Sequence, residues 1–190
     1  MKASFFLKLT KSRQFPGGCL LLLSIALVVS AQDNYKNLKD QAEEIGKAAA
    51  AEDFDRVVEL TNPKLVKLVG GREKMITALR ETVADLRKEG AAVLKQTVEP
   101  PSQVLKVGGE IFAVVPIAMH FKIPGGVGVE PSCLVGVSTD SGQHWTFVDV
   151  GTRRDPQMLR TLFPTVADKL QLPPIGKAVF TSDADLPKKP

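Results

Sequence analysis

The sequence predicts an α+β fold, with helices first and strands after. Up to Gly90 the apolar residues recur at steps of three and four; beyond it they recur at steps of two. The two patterns do not interleave, and runs segregated in this way mark α+β, not alternating α/β.

The helical part divides at its capping signals. Tyr35, Leu38, Ala42, Ile45 and Ala49 put one apolar stripe on an amphipathic helix over 33–51. "DFDRVVEL" is a second, short helix with Asp53 as N-cap. In "TNPKLVKLVGG" Asn62 can cap and Pro63 suits the first turn, while Gly70 and Gly71 stop the helix. Met75, Leu79, Val83 and Leu86 stripe the next long helix, over 72–89, and Gly90 suits its left-handed C-terminal cap. Strands are then expected in "AVLKQTVE", in "QVLKV" and "EIFAVVPIAMHFKI" around the two-residue Gly108-Gly109 hairpin loop, in "SCLVGVST", and in "QHWTFVDV". The strand over 110–123 is apolar on both faces, so it needs cover on both sides or a partner copy on one. Pro116 within it argues for a bulge or an edge position. Asp155-Pro156 starts a helix that Phe163-Pro164 breaks into two short turns, and 173–190 has no periodicity and is expected to be extended or disordered.

Length and charge bound the function. The chain has 190 residues, enough for one domain of ordinary size. Lys2, Lys8, Lys11 and Arg13 precede the 11-residue apolar run "CLLLLSIALVV", and "VSA" follows it. This is a secretory signal over 1–31, with an uncleaved anchor as the alternative. The run is too short for a spanning helix, which takes about 20 residues. Export leads to a secreted or periplasmic chain. The whole chain has 25 basic and 21 acidic residues; the four basic ones before Ala31 have no acid among them, so the mature chain carries 21 of each. That balance, with no basic stripe interleaved with aromatics, excludes a nucleic-acid partner. Cys133 is left alone in an apolar strand, a buried inert thiol. No Cys/His cluster suggests a metal, and no motif suggests a cofactor.

"STDSGQHWTF", Ser138 to Phe147, has the S-x-D-x-G-x-x-W pattern of sialidase Asp-boxes. One copy does not make a propeller of about 40–50 residues per blade. Asp140 can bond downstream backbone and Gly142 can take positive φ, so the box reads as a hairpin with Trp145 packed over its turn. The N-terminal helices, "AEDFDRVVELTNPKLVKLVGG" leading into the long helix, and a meander ending in W-x-F-x-D at Trp145, Phe147 and Asp149 together resemble the nuclear transport factor 2-like superfamily of cystatin-like folds. The resemblance covers about 35–150, and the tail "LRTLFPTVADKLQLP" is similar to that of secreted bacterial members of unknown role. It implies a domain over 32–172 with three N-terminal helices on a strongly curved antiparallel or mixed sheet, a cone-shaped roll. The sheet would wrap the helix containing Leu79 and enclose a hollow. It also implies pairing of copies through the sheet, and either ligand binding or isomerase and hydro-lyase chemistry.

The candidate chemistry is sparse. By strand parity Trp145, Phe147 and Asp149 share one face and form the expected ligand pocket. Asp149 is either a general base beside two aromatics or a strand-end carboxylate bonded to nearby backbone or to Arg153. His120, sharing a face with Phe112, Val114 and Ala118, is either a pocket base or a hydrogen-bonded core or interface histidine. A dyad of the two is the sharpest enzyme hypothesis. His144 adjoins a turn in solvent, and Arg153-Arg154 is either an anion clamp or a solvated pair. There is no G-x-S-x-G elbow and no phosphate loop. The sequence therefore reads as an exported non-catalytic domain binding a small apolar ligand or a protein partner. An enzyme using Asp149 or His120 as base is the alternative, and a subunit of an envelope complex with an exposed apolar patch is a third reading.

Overall fold

The computed structural model describes residues 25–151 and 155–185, with side chains from residue 35 onward. Most of the signal segment, Arg153-Arg154 and the end of the tail lie outside the described residues. Helices α1 (Ile25–Ala50), α2 (Phe54–Leu60), α3 (Pro63–Leu68) and α4 (Arg72–Lys88) precede strands β1 (Ala92–Val98), β2 (Gln103–Val107), β3 (Glu110–Ile123), β4 (Gly126–Ser138) and β5 (Thr146–Asp149). Helix α5 (Pro156–Leu162), a 3₁₀ turn (Ala167–Lys169) and strand β6 (Val179–Ser182) follow. The expected caps are present. Asp53 accepts from the Arg56 amide, Asn62 from Lys64 and Asp155 from Gln157. The α+β order is as expected, and the four helices before the sheet are the four segments that the capping signals mark out.

The sheet is antiparallel throughout its named strands and strongly curled. Long strands β3 and β4 run side by side at its centre, paired from Ile111↔Ser138 to Ile123↔Gly126. Strands β1 and β2 lie end to end along the free side of β3, and β6 and β5 lie end to end along β4. The β2–β3 loop has both Gly108 and Gly109 at positive φ, as a type I′ turn requires.

Pro116 departs from expectation. It sits in a central strand, and the β3–β4 register runs through it without a bulge. Its carbonyl accepts from the Glu99 amide, on the side where β1 ends and β2 has not begun. An antiparallel residue's N–H points the same way as its C=O. The missing donor therefore faces Glu99 at the end of β1, and the β3–β4 ladder loses no bond.

Two cores sandwich the sheet. Odd-numbered β3 residues Ile111, Ala113, Val115 and Ile117 join Leu134, Trp145 and Phe147 against Leu38 and Ala42 of α1. Even-numbered Phe112 and Val114 join Val135, Val137 and Val148 against Leu159, Leu162 and Phe163 of the α5 region and Val166. Phe112 and Phe163 meet edge to face at 5.5 Å. The cover that β3 requires comes from this chain over the half of the sheet beneath α5. Ala118, His120, Val127 and Val129, farther along the same outer face, remain half-buried.

The helix against the inner face is α1, not the Leu79 helix that the resemblance implied. Ile76 is the one buried residue of α4, and Leu79 is half-buried. Two glycines explain the choice. A Cβ on Gly46 would stand 2.5 Å from Gln96 Cβ, so α1 approaches β1 closer than any side chain would allow. Gln96 Nε2 donates to the Ala42 carbonyl at 2.8 Å, across the same contact. A Cβ on Gly136 would stand 3.1 to 3.3 Å from Leu38, Trp145 and Phe147, whose side chains occupy its space. The gap between α1, α4 and β1 is about 30 Å³, room for about one water.

The sign of one substitution tests this seating. Gly→Ala within a helix ordinarily stabilises by about 1 kcal/mol. Gly46→Ala is expected to destabilise by about 1–3 kcal/mol through overpacking against Gln96, read from urea unfolding. A stabilised variant would show that α1 does not touch β1 this closely.

Candidate functional site

The W-x-F-x-D residues are brought together on one side of the sheet, as parity predicted, but they face α1. Trp145 and Phe147 are buried in the inner core. Asp149 is exposed at the strand end, where Oδ1 accepts from the Gly151 amide at 2.8 Å and from Ser132 Oγ at 3.1 Å. These are the bonds of a strand-end carboxylate.

His120 occupies the other face. It pairs across to Val129, whereas Asp149 pairs to Leu134, at a position of opposite parity. No His120–Asp149 dyad can form, because the sheet stands between the two side chains. His120 Nε2 lies 3.4 Å from Thr97 Oγ1. Burial, together with the positive charge of Lys95, lowers its pKa, so the ring is neutral near pH 7. Among the described residues no group of three or more His, Cys, Asp or Glu side chains could hold a metal ion, and no helix is long and apolar enough to cross a membrane.

The Asp-box is a closed hydrogen-bond unit. Buried Ser138 donates to Asp140 Oδ1 at 2.9 Å, and its Oγ accepts from the Gly142 amide at 2.9 Å. Asp140 Oδ1 also accepts from the amides of Gln143 and His144. His144 is exposed at the turn, as expected, and its Nδ1 lies 2.5 Å from Asp140 Oδ2. Ser141 and Gly142 both take positive φ. Trp145 Nε1 donates back to the Gly142 carbonyl at 3.0 Å. Gln41 of α1 completes the unit, accepting from the Trp145 amide at 2.8 Å and donating to the Gln143 carbonyl at 2.9 Å. The bonds among Ser138, Asp140, Gly142, His144 and Trp145 close the turn on itself, and the two Gln41 bonds tie it to α1.

The open concavity lies elsewhere, and the sequence reading missed it. The α2–α3 junction lies alongside β5. Thr61 bridges Phe147, the Asn62 amide donates to the Phe147 carbonyl at 2.9 Å, and Asn62 Nδ2 donates to Thr146 Oγ1 at 3.1 Å. Between this junction and the start of α4 runs an open groove of about 780 Å³. Val58, Pro63 and Val66 form apolar walls, Thr61 and Thr146 add hydroxyls, and Lys67 and Arg72 add charge. Arg72 is held by Asp55 at 2.5 Å and Glu59 at 3.9 Å. The available signal was the Asn-Pro and Gly-Gly punctuation around α3, which marks a short helix between two chain reversals and hence a step in the surface.

No protein-family model matches the chain, and no curated protein matches it. A solved structure similar to it is that of an NTF2-like protein with a cystatin-like fold from Novosphingobium aromaticivorans. The two are 17% identical with a TM-score of 0.48, over 69% of this chain and 88% of that one.

The Asp-box makes a pH prediction. Amide donation from His144, its largest cause, and further bonds from the His144 ring and Ser138 hold Asp140 down at about 2, below its ordinary 3.8. A depressed folded-state pKa gives stability that is complete above the unfolded value and fades as pH falls through the folded one. Asp140→Asn is therefore expected to melt below the parent at pH 6, with the difference shrinking between about pH 4 and pH 2. A gap that does not change with pH would refute this role.

Proposed function

We propose that the chain is an exported, non-catalytic binding domain that holds a small apolar ligand, or an apolar side chain of a partner, in the groove between α2, α3 and β5. The observation that carries this reading is the groove itself. Its volume of about 780 Å³ lies within the roughly 300–1,000 Å³ of small-molecule sites, and it is lined by Val58, Pro63 and Val66 with two threonine hydroxyls and the charged Glu59, Lys67 and Arg72. The enzyme alternative needs at least two ionisable groups converging on a cavity. Asp149 and His120 instead engage separate partners on opposite faces, and neither lines the groove.

A thermal-shift screen of small lipophiles tests the reading, with Val66→Asp as its control. A ligand at 100 times its Kd stabilises the native state by about 2.7 kcal/mol, a rise of several degrees for a domain of this size. The parent chain is expected to respond to at least one lipophile, and Val66→Asp to lose that response. A flat screen, or equal responses from both chains, would overturn the reading. Export is checked on the chain recovered from cells. A mature N-terminus at Gln32 supports it, and an intact Met1 terminus in the cytoplasm contradicts it.

A further inference from the structure

Leu68 and Val69 are among the most exposed large apolar residues of the described chain, at 51% and 42%. They close α3 just before the Gly70-Gly71 turn and line no part of the groove. Three lysines share their stretch of chain. Lys64 lies one helical turn before Leu68, and its Nζ stands 5.5 Å from the centre of the Phe163 ring. Lys67 adjoins Leu68 in the chain, and the Lys74 side chain lies over Gly70, with its Cδ 2.7 Å from where a Cβ would stand. From Pro63 to Lys74 there are four basic residues and one acid, Glu73, in a mature chain that is neutral overall. Arg72 is engaged by the neighbouring acids Asp55 and Glu59, so the three lysines alone supply the positive charge of the patch.

We propose that this patch docks the domain on an anionic lipid surface. Leu68 and Val69 enter the boundary between headgroups and acyl chains, and Lys64, Lys67 and Lys74 meet the negative headgroups. Exposed aliphatics in a lysine-rich stretch are the chemistry of interfacial membrane binding. Charge selects the occupant. The ends of this chain outside the described residues are basic, with Lys2, Lys8, Lys11 and Arg13 at one and Lys188 and Lys189 at the other, so neither complements the patch. A protein partner would need about 1,000 Å² of shaped interface. A fluid anionic surface needs only the exposed aliphatics and the charge. The proposal does not rest on the groove ligand.

The test places a reporter in the patch of the full chain. Leu68→Trp adds a second indole to buried Trp145, and the parent chain supplies the baseline. Vesicles of phosphatidylcholine containing about a third phosphatidylglycerol are expected to shift the variant's emission to the blue, while vesicles of phosphatidylcholine alone do not. Replacing Lys64, Lys67 and Lys74 by Gln should weaken partitioning about fivefold per lysine, and raised salt should weaken it further. Independently of the reporter, Leu68→Glu with Val69→Glu should abolish the anion-dependent part of co-sedimentation, while the uncharged Val66→Asn in the groove leaves it intact. Absence of the shift, an equal shift on neutral vesicles, or the same shift from monomeric laurate would overturn the proposal. The laurate result would point to a small-molecule site.

Discussion

The seating of α1 on the inner face of the curled sheet is the constraint on which the other features depend. It is made at two glycines. Gly46 brings the helix backbone against Gln96 of β1, and Gly136 makes room for Leu38, Trp145 and Phe147. Between them Ala42 is fully buried, and Gln41 ties the helix to the Asp-box turn. Once α1 lies there, Leu38 and Ala42 pack against Ile111, Ala113, Val115, Ile117 and Leu134 on the concave side. The W-x-F-x-D aromatics then belong to the core. Helix α4 is displaced to the outside, where it is held by exposed ion pairs such as Arg72–Asp55, each contributing little.

The same seating accounts for the position of the groove. With the interior filled, the chain between α1 and α4 runs along β5 as two short helices. Asn62 joins them to the β5 edge through a backbone and a side-chain bond. That contact covers an edge strand that would otherwise expose unpaired amides and carbonyls. The open groove lies at this step, and the exposed Leu68 and Val69 end the short helix that lines it. The features with potential to bind are thus consequences of how the edge of β5 is covered.

Much of the architecture was legible, because it rests on local chemistry. The period change at Gly90, the Asp53, Asn62 and Asp155 caps, the Gly108-Gly109 turn and the break at Phe163-Pro164 all depend on near neighbours. The first half of β4 was missed because Gly126, Gly128 and Pro131 read as turn, and pairing to β3 alone makes them strand. β6 was missed because its four residues have no pattern of their own and are ordered by β4. Which helix fills the roll could not be read, since α1 and α4 carry equivalent apolar stripes; the decision rests on glycine contacts between distant segments. Parity correctly grouped Trp145, Phe147 and Asp149, but it cannot say what a face packs against. The groove required three elements meeting, and its residues carry no chemical motif.

The most direct measurement of the seated helix uses the chain's single tryptophan. If α1 fills the inner face, Trp145 is buried beneath Leu38, with its indole N–H bonded to Gly142. Its emission will then be blue-shifted, and acrylamide will quench it far less than an indole free in water. Emission at the wavelength of a hydrated indole, with unhindered quenching in the folded chain, would show that the inner face is open and would contradict the account.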